Sequence, residues 1–127
     1  CGVLGFDAQR RMVKGSMQNL THYGVKPEGM IVADARHLPI REVDCIVTDP
    51  PYGRSATTLG LSTEQIVKDF LFAAQESIRK GHRICIASPK SIRIGRIGKG
   101  SSFKHVESHL VYVHRGLTRE IAVFERN

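Results

Sequence analysis

The residues best suited to chemistry in this sequence form the string Asp49-Pro50-Pro51-Tyr52-Gly53. Each proline fixes φ near about −65° and holds the preceding residue extended, so the Asp49 carboxylate and the Pro50 carbonyl become two oriented acceptors. The Tyr52 ring beside them offers a platform for a flat base. This combination suits methylation of an amine conjugated to a heteroaromatic ring, because accepting both N–H bonds frees the nitrogen lone pair for attack. The structural alternative is a proline-rich turn whose tyrosine covers the end of a sheet.

Two further carboxylates, Asp7 and Asp34, each end a short apolar run. A carboxylate at the end of a strand can accept both hydroxyls of a ribose, and one on the next strand can accept from an exocyclic amine. Asp7 and Asp34 fit these two roles. An aspartate after a strand is also a common turn or helix-cap residue, so each remains open to that interpretation.

The elements that must position these acids alternate between strand and helix, which predicts an α/β fold with a mainly parallel sheet and a closing antiparallel hairpin. Ligands in such sheets bind at the carboxyl ends of the strands, where the three acids lie. A Ser62-Thr63-Glu64-Gln65 capping box is expected to start the second helix. The predicted strands are Val3–Asp7, Met30–Asp34, Val43–Asp49, Arg83–Ser88, Leu110–Val113 and Glu120–Phe124, and the predicted helices run from Ala8 to Gly24 and from Ser62 to Gly81.

Composition and charge exclude a disordered or membrane-spanning chain and raise the question of a polyanion partner. The chain has 127 residues, 41% of them hydrophobic, which excludes a disordered chain, and no apolar run is long enough to span a membrane. The net charge is +7, and its whole surplus lies in residues 77–106, which hold eight basic and no acidic side chains. Such a block is either an electrostatic footprint for a polyanion or a solvated loop. Its segment 91–102 lacks phosphate-loop spacing and is expected to be a mobile basic loop.

The cysteines and histidines suggest neither disulfides nor a metal. Cys45 and Cys85 lie within apolar runs and are predicted to be core residues, which favours a reducing, cytoplasmic location. The six histidines are scattered without partners at ligand spacing, so no metal site is expected.

The longer string Thr48–Ser55, with Gly5–Asp7 and Asn19–Gly24, resembles class I S-adenosylmethionine-dependent methyltransferases that act on amines. Within that class it resembles the archaeal and eukaryotic tRNA guanosine-10 N2-methyltransferases. The resemblance covers about Val3 to Asn127 and is most specific at the Pro-Pro-Tyr motif. It implies a Rossmann-like sheet with helices on both faces and a C-terminal antiparallel hairpin.

The resemblance also implies an activity, a cofactor and a set of site residues. The activity would be methylation of the exocyclic N2 amine of guanosine in tRNA, with S-adenosyl-L-methionine as cofactor. The expected cofactor-binding residues are Asp7 for the ribose, Asp34 with Ala35 for the adenine, and Asp49. The expected catalytic residues are Asp49, Pro50, Pro51 and Tyr52, and the expected RNA-binding residues are Tyr52, Gly53, Arg54, Arg93, Arg96 and Lys99.

One departure from the family pattern concerns the first strand and the Gly-rich cofactor turn, which would precede residue 1. Residues 1–127 are therefore expected to be a partial catalytic domain, with any N-terminal THUMP-type RNA-binding domain upstream. The missing strand would lie between the strands ending at Asp7 and Asp49, leaving unpaired edges. The upstream polypeptide, or an associated chain, would complete the sheet. Alone, the chain is expected neither to fold stably as a monomer nor to bind cofactor normally.

Three other functions remain open at this stage. DNA adenine-N6 and cytosine-N4 methyltransferases use the same tetrapeptide as Asp49–Tyr52. A non-catalytic nucleic-acid-binding module could keep the fold without the cofactor, although the retained motif argues against it. Protein-glutamine methyltransferases usually have Asn where this chain has Asp49.

Overall fold

The computed structural model describes residues 1–51 and 62–127. They form two compact units, Cys1–Pro39 (unit 1) and Ile40–Asn127 (unit 2). Of the helices in these described ranges, none is both long and apolar enough to cross a membrane.

Unit 1 is a strand, a helix and a second strand, in the order predicted from the sequence. The strand β1 (Leu4–Asp7) pairs in parallel with β2 (Gly29–Val32), and helix α1 (Arg10–His22) connects them. The pairing continues one residue beyond β2, where the Ala33 N–H donates to the Asp7 carbonyl at 3.1 Å. Helix α1 has no fully buried residue.

Unit 2 contains a four-stranded sheet in the order β3-β4-β6-β5. Strands β3 and β4 are parallel, whereas β4/β6 and β5/β6 are antiparallel, so the predicted C-terminal hairpin is confirmed. The elements are β3 (Val43–Thr48), α2 (Thr63–Ala74), β4 (Ile78–Pro89), a 3-10 turn (Lys90–Ile92), α3 (Ile94–Ile97), β5 (Phe103–His114) and β6 (Leu117–Arg126).

The core of unit 2 lies between the helices and one face of this sheet. Strand residues two apart share a face, and the buried row runs from Ile84 and Ile86 on β4 to Ala122 and Phe124 on β6. Full burial of each large aliphatic or aromatic side chain contributes about 1.5–3 kcal/mol. The residues that α2 contributes are Val67, Phe70, Leu71 and Ala74.

Four strands, β1, β2, β3 and β5, form sheet edges in the parts of the chain that the structure describes. Strand β1 pairs with β2 alone, and β3 pairs with β4 alone. Strand β3 also exposes apolar surface, since Val47 is 76% exposed. The edges of β1 and β3 and the exposed Val47 agree with the unpaired edges and open apolar surface expected from the sequence, and the missing strand itself stays a prediction.

The second helix is shorter than predicted. It ends at Ala74, and Ile78 and Gly81 belong to β4 instead. The prediction failed because β4 carries an irregular start: Val43 pairs with Ile78 and Cys45 with Arg83, so β4 has extra residues between these pairs. Gly81 lies in that bulge with a φ of +76°, a conformation that favours glycine.

The predicted capping box is half formed. The Gln65 N–H donates to the Ser62 hydroxyl at 3.1 Å, as expected. The Gln65 side chain does not return to the Ser62 backbone but donates to Asp69 at 2.8 Å.

The prediction that both Cys45 and Cys85 lie in the core was wrong for Cys45. Cys45 is exposed because it lies on the edge strand β3, on the face turned away from α2. Cys85 is half-buried, and desolvation, with a smaller contribution from Cys45, raises the pKa of its thiol.

Candidate active site

Asp7 and Asp34 lie at the same edge of the parallel pair in unit 1. Asp7 is the last residue of β1, and Asp34 follows the end of β2. One Asp7 carboxylate oxygen, Oδ1, accepts from the Gln9 N–H at 2.7 Å and so shapes the turn into α1. Its Oδ2 accepts no hydrogen bond from another described residue. Asp7 therefore combines the turn role with a remaining acceptor.

Asp34 is far more heavily engaged, because Arg36 binds it through both backbone and side chain. Its Oδ1 accepts from the Arg36 N–H at 2.9 Å and from Nε at 3.0 Å. Its Oδ2 accepts from Nε at 3.1 Å and also from Nη2. The hydrogen bonds from Arg36 lower the pKa of Asp34 from 3.8 to about 2. Ala35, between them, is half-buried.

In unit 2, Asp49 and Pro50 follow directly on the last residue of β3. Pro50 is buried while Asp49 is exposed, so the chain anchors its proline and leaves the carboxylate accessible. Neither the Asp49 carboxylate nor the Pro50 carbonyl accepts a hydrogen bond from another described residue. The Nη1 of Arg119 lies 3.6 Å from Asp49 Oδ2. Within the described ranges, the two adjacent residues thus present two acceptors that no hydrogen bond engages.

The start of α2 contacts Pro51, the last described residue of the motif. The Thr63 hydroxyl donates to the Pro51 carbonyl at 3.4 Å, which ties the two points together. The predicted site residues Tyr52, Gly53 and Arg54 lie outside the described residues.

The basic segment after β4 forms a 3-10 turn and a short helix where the sequence predicted a mobile loop. Arg93 joins them in a left-handed conformation with a φ of 52°, and the next residue, Ile94, is fully buried. Gly98 lies against the Phe124 ring, so closely that an added Cβ would come within 2.5 Å of it. The packing against Phe124 therefore requires a residue without a side chain at position 98.

The exposed cations of this segment have no acidic partners among the described residues. Arg79 and Arg83, at the other end of β4, are paired with Asp44 at 2.8 Å and Glu125 at 3.3 Å. Two arginines of the basic block are thus paired, whereas its cations after β4 lack acidic partners in the described residues. The unpaired, exposed cations after β4 are Lys90, Arg93, Arg96 and Lys99.

Comparison with solved structures defines the fold as that of Rossmann-like class I methyltransferases. TrmN from Thermus thermophilus matches with a TM-score of 0.80 at 23% identity, covering 99% of this chain and 36% of that chain. A structure from Streptococcus mutans in complex with SAH matches with a TM-score of 0.71 at 12% identity, covering 99% of this chain and 76% of that chain.

The particular family follows from the sequence. Residues 1–121 match the family described as RMKL-like, methyltransferase domain, and the chain belongs to that family. The tRNA (guanine(10)-N2)-dimethyltransferase of Methanothermobacter thermautotrophicus is 42% identical over 98% of this chain. The chain spans 37% of the length of that relative. The resemblance recognised in the sequence is confirmed at the level of the family.

Two arginines beside the predicted acids were missed in the sequence. Arg36 follows Asp34 by two residues, and that local spacing could have indicated the contact. Arg119 is remote from Asp49 in the sequence and approaches it only because β6 lies next to β4 and β4 next to β3. No local pattern indicates that strand order.

Proposed function

We propose that this chain is part of an S-adenosylmethionine-dependent enzyme that methylates the exocyclic N2 amine of guanosine in tRNA. The observation that carries the proposal is the pair of adjacent acceptors at the end of β3, the Asp49 carboxylate and the Pro50 carbonyl, to which no described residue donates a hydrogen bond. The choice of guanosine in tRNA is supported by the name of the Methanothermobacter relative.

The two acceptors suit the chemistry of an aromatic amine. In the free base the nitrogen lone pair is delocalised into the ring. Hydrogen bonds from the amine to Asp49 and to the Pro50 carbonyl favour a pyramidal nitrogen with its lone pair directed outward. The carboxylate also stabilises the positive charge that develops on this nitrogen. Pro51 stiffens the turn so that both acceptors keep their directions, and Tyr52 would stack on the base.

The acids of unit 1 fit the polar groups of the cofactor. S-adenosylmethionine, when bound, supplies a methyl group activated by its sulfonium. The Asp7 oxygen without a hydrogen bond can accept from ribose hydroxyls while its other oxygen keeps the turn. The Asp34 and Ala35 segment would bind the adenine. Because Arg36 already donates to both Asp34 oxygens, the adenine amine would share this carboxylate with Arg36.

Further polypeptide would complete the cofactor site. The unpaired edges of β1 and β3 in the described residues, and the greater length of the relative, support this part of the proposal. The completing segment would be the upstream part of the same polypeptide or an associated chain. It would supply the strand and the Gly-rich turn that support the methionine moiety.

We place the RNA backbone on the unpaired cations after β4, together with Gly53 and Arg54. A paired base hides its amine, so the target guanosine must be flipped or single-stranded, and phosphate contacts would hold the flanking nucleotides. Replacing Arg93, Arg96 or Lys99 by Ala should weaken tRNA binding and lower the slope of log affinity against log salt by about 1 for each phosphate interaction removed. Arg83→Ala is the matched control, because Arg83 is already paired with Glu125. Equal slopes for wild type and the three variants would remove this surface from the RNA site.

The function is tested by methyl transfer from labelled S-adenosylmethionine with the full-length protein. Unmodified tRNA and single-stranded DNA are the substrates, followed by digestion and identification of the nucleosides. The proposal expects label in N2-methylguanosine. Label in DNA adenine or cytosine would keep the amine chemistry and overturn the substrate, and cofactor binding with no transfer to either would favour the non-catalytic module.

A further inference from the structure

Arg119 approaches the proposed catalytic acid from a different strand. Its guanidinium Nη1 lies 3.6 Å from Asp49 Oδ2, with the two side chains 37% and 50% exposed. Among the described residues it is the sole cation within ion-pair distance of Asp49. The separation is too long for a direct hydrogen bond, so the interaction is electrostatic.

The sheet fixes the place from which Arg119 acts. Its backbone is flanked on both sides, because it pairs with Pro89 on β4 and with Val111 on β5. Paired residues on neighbouring strands share a face, so Val47, Cys85 and Val123 lie on the same face of the sheet. Side chains alternate between the faces along a strand. Asp49 is two positions from Val47 and Arg119 is four positions from Val123, so both side chains lie on that face. Arg119 therefore reaches across the end of β4 toward the end of β3.

We propose that Arg119 is a positioning residue that orients the Asp49 carboxylate for the target amine, an inference that rests on the proposed function. Attraction by Arg119 draws Oδ2 toward β6 and leaves Oδ1 facing away to accept the amine N–H. Asp49 needs such a guide because no other described residue bonds its carboxylate and it projects from a stiff turn. Arg36 does this for Asp34 through direct hydrogen bonds, whereas Arg119 leaves the Asp49 oxygens open to a substrate.

The alternative role for an exposed arginine is a phosphate contact. The two roles differ in what they change. A positioning residue alters the turnover step, since misplacement of a catalytic group slows chemistry even when binding is intact. A phosphate contact alters tRNA affinity and its salt dependence.

The test uses the full-length protein with the variants Arg119→Met and Arg119→Lys. The control is Arg83→Met, which removes the ion pair between β4 and β6 at the end of β6 remote from Arg119. For each variant, kcat and the KM values for tRNA and S-adenosylmethionine are measured. We expect Arg119→Met to lower kcat about tenfold with both KM values within about twofold of wild type. Arg119→Lys should restore part of kcat, and Arg83→Met should leave it unchanged.

A double-mutant cycle with Asp49→Asn separates a positioning role from a structural one, because only a positioning role makes the effect of Arg119→Met on kcat depend on Asp49. If Arg119 acts through Asp49, Arg119→Met should have little further effect in the Asp49→Asn protein. Full additivity would overturn the proposal, as would a raised KM for tRNA with unchanged kcat. Formation of N2-methylguanosine by wild type separates the two failures, because the proposed function then stands whatever the Arg119 variants do.

Discussion

Helices α1 and α2 have similar lengths but very different support. In unit 2, α2 buries four residues against the sheet, including Phe70 and Leu71. In unit 1, α1 has no fully buried residue, and its apolar Met12 and Met17 are 45% and 39% exposed. Unit 2, which would hold the amine, thus has a core of its own. Unit 1, which would hold the cofactor, buries few apolar side chains within itself.

The aspartates at the strand ends of the two units also differ, in the hydrogen bonds that their carboxylates accept. Both oxygens of Asp34 accept hydrogen bonds from Arg36, and Asp7 gives one oxygen to its own turn. Asp49 has no hydrogen bond from a described residue and one cation at 3.6 Å. Similar positions at strand ends therefore have different surroundings: the acids of unit 1 help to shape their own loops, and Asp49 would be available to a substrate under the proposed function.

The largest effect is expected at Asp49. Asp49→Asn keeps the shape of the side chain but removes the charge that stabilises the cationic nitrogen, and should lower the rate of methyl transfer about 100- to 1,000-fold. Single-turnover transfer of label to tRNA measures this. Asp44→Asn on the same strand is the matched control and should leave the rate unchanged. An Asp49→Asn protein with the wild-type rate would show that the Asp49 charge does not contribute to methyl transfer, and would remove the difference between the acids of the two units.

The difference in burial predicts a difference in stability between two matched substitutions. Leu71→Ala in α2 should lower the free energy of unfolding of the full-length protein by about 2–5 kcal/mol, because it leaves a cavity in a packed core. Leu20→Ala in α1, where the side chain is half-buried, should cost about 1 kcal/mol or less. Urea unfolding measures both. Equal losses would show that unit 1 acquires a core of its own in the full-length protein.

A smaller effect is expected for Asp7, and on affinity instead of rate. Asp7→Asn keeps an acceptor for the Gln9 N–H but weakens hydrogen bonds to ribose hydroxyls, so the Kd for S-adenosylmethionine should rise about tenfold. Equilibrium binding measures it, with Glu28→Gln in the same unit as control. An unchanged Kd would remove Asp7 from the cofactor site.

The smallest effect concerns the Asp34 and Arg36 pair at low pH. Because the folded-state pKa of Asp34 is lowered to about 2, the pair stabilises the fold fully above the unfolded value of 3.8 and loses that contribution as the pH falls toward 2. Arg36→Ala should return the pKa toward 3.8, as measured by carbon NMR titration of the carboxyl group. A midpoint that stays near 2 would mean that the Arg36 side chain is not the cause of the lowered pKa.

The sequence predicted most of the fold because the relevant signals are local. The apolar runs that end at Asp7, Asp34 and Asp49 form the strands β1, β2 and β3, and Ser62 caps α2 as predicted. The end of α2 was wrong because the bulge at Gly81 depends on pairing with β3. The proximity of Arg119 to Asp49 likewise depends on strand order, which periodicity does not encode.

The most direct test of the division between the two units is single-turnover methyl transfer to tRNA at increasing S-adenosylmethionine, with Asp7→Asn and Asp49→Asn compared side by side in the full-length protein. The account predicts that saturating cofactor restores the wild-type rate to Asp7→Asn but leaves Asp49→Asn about 100-fold or more below it. A rate that saturating cofactor restores in Asp49→Asn, or one that stays low in Asp7→Asn, would contradict it.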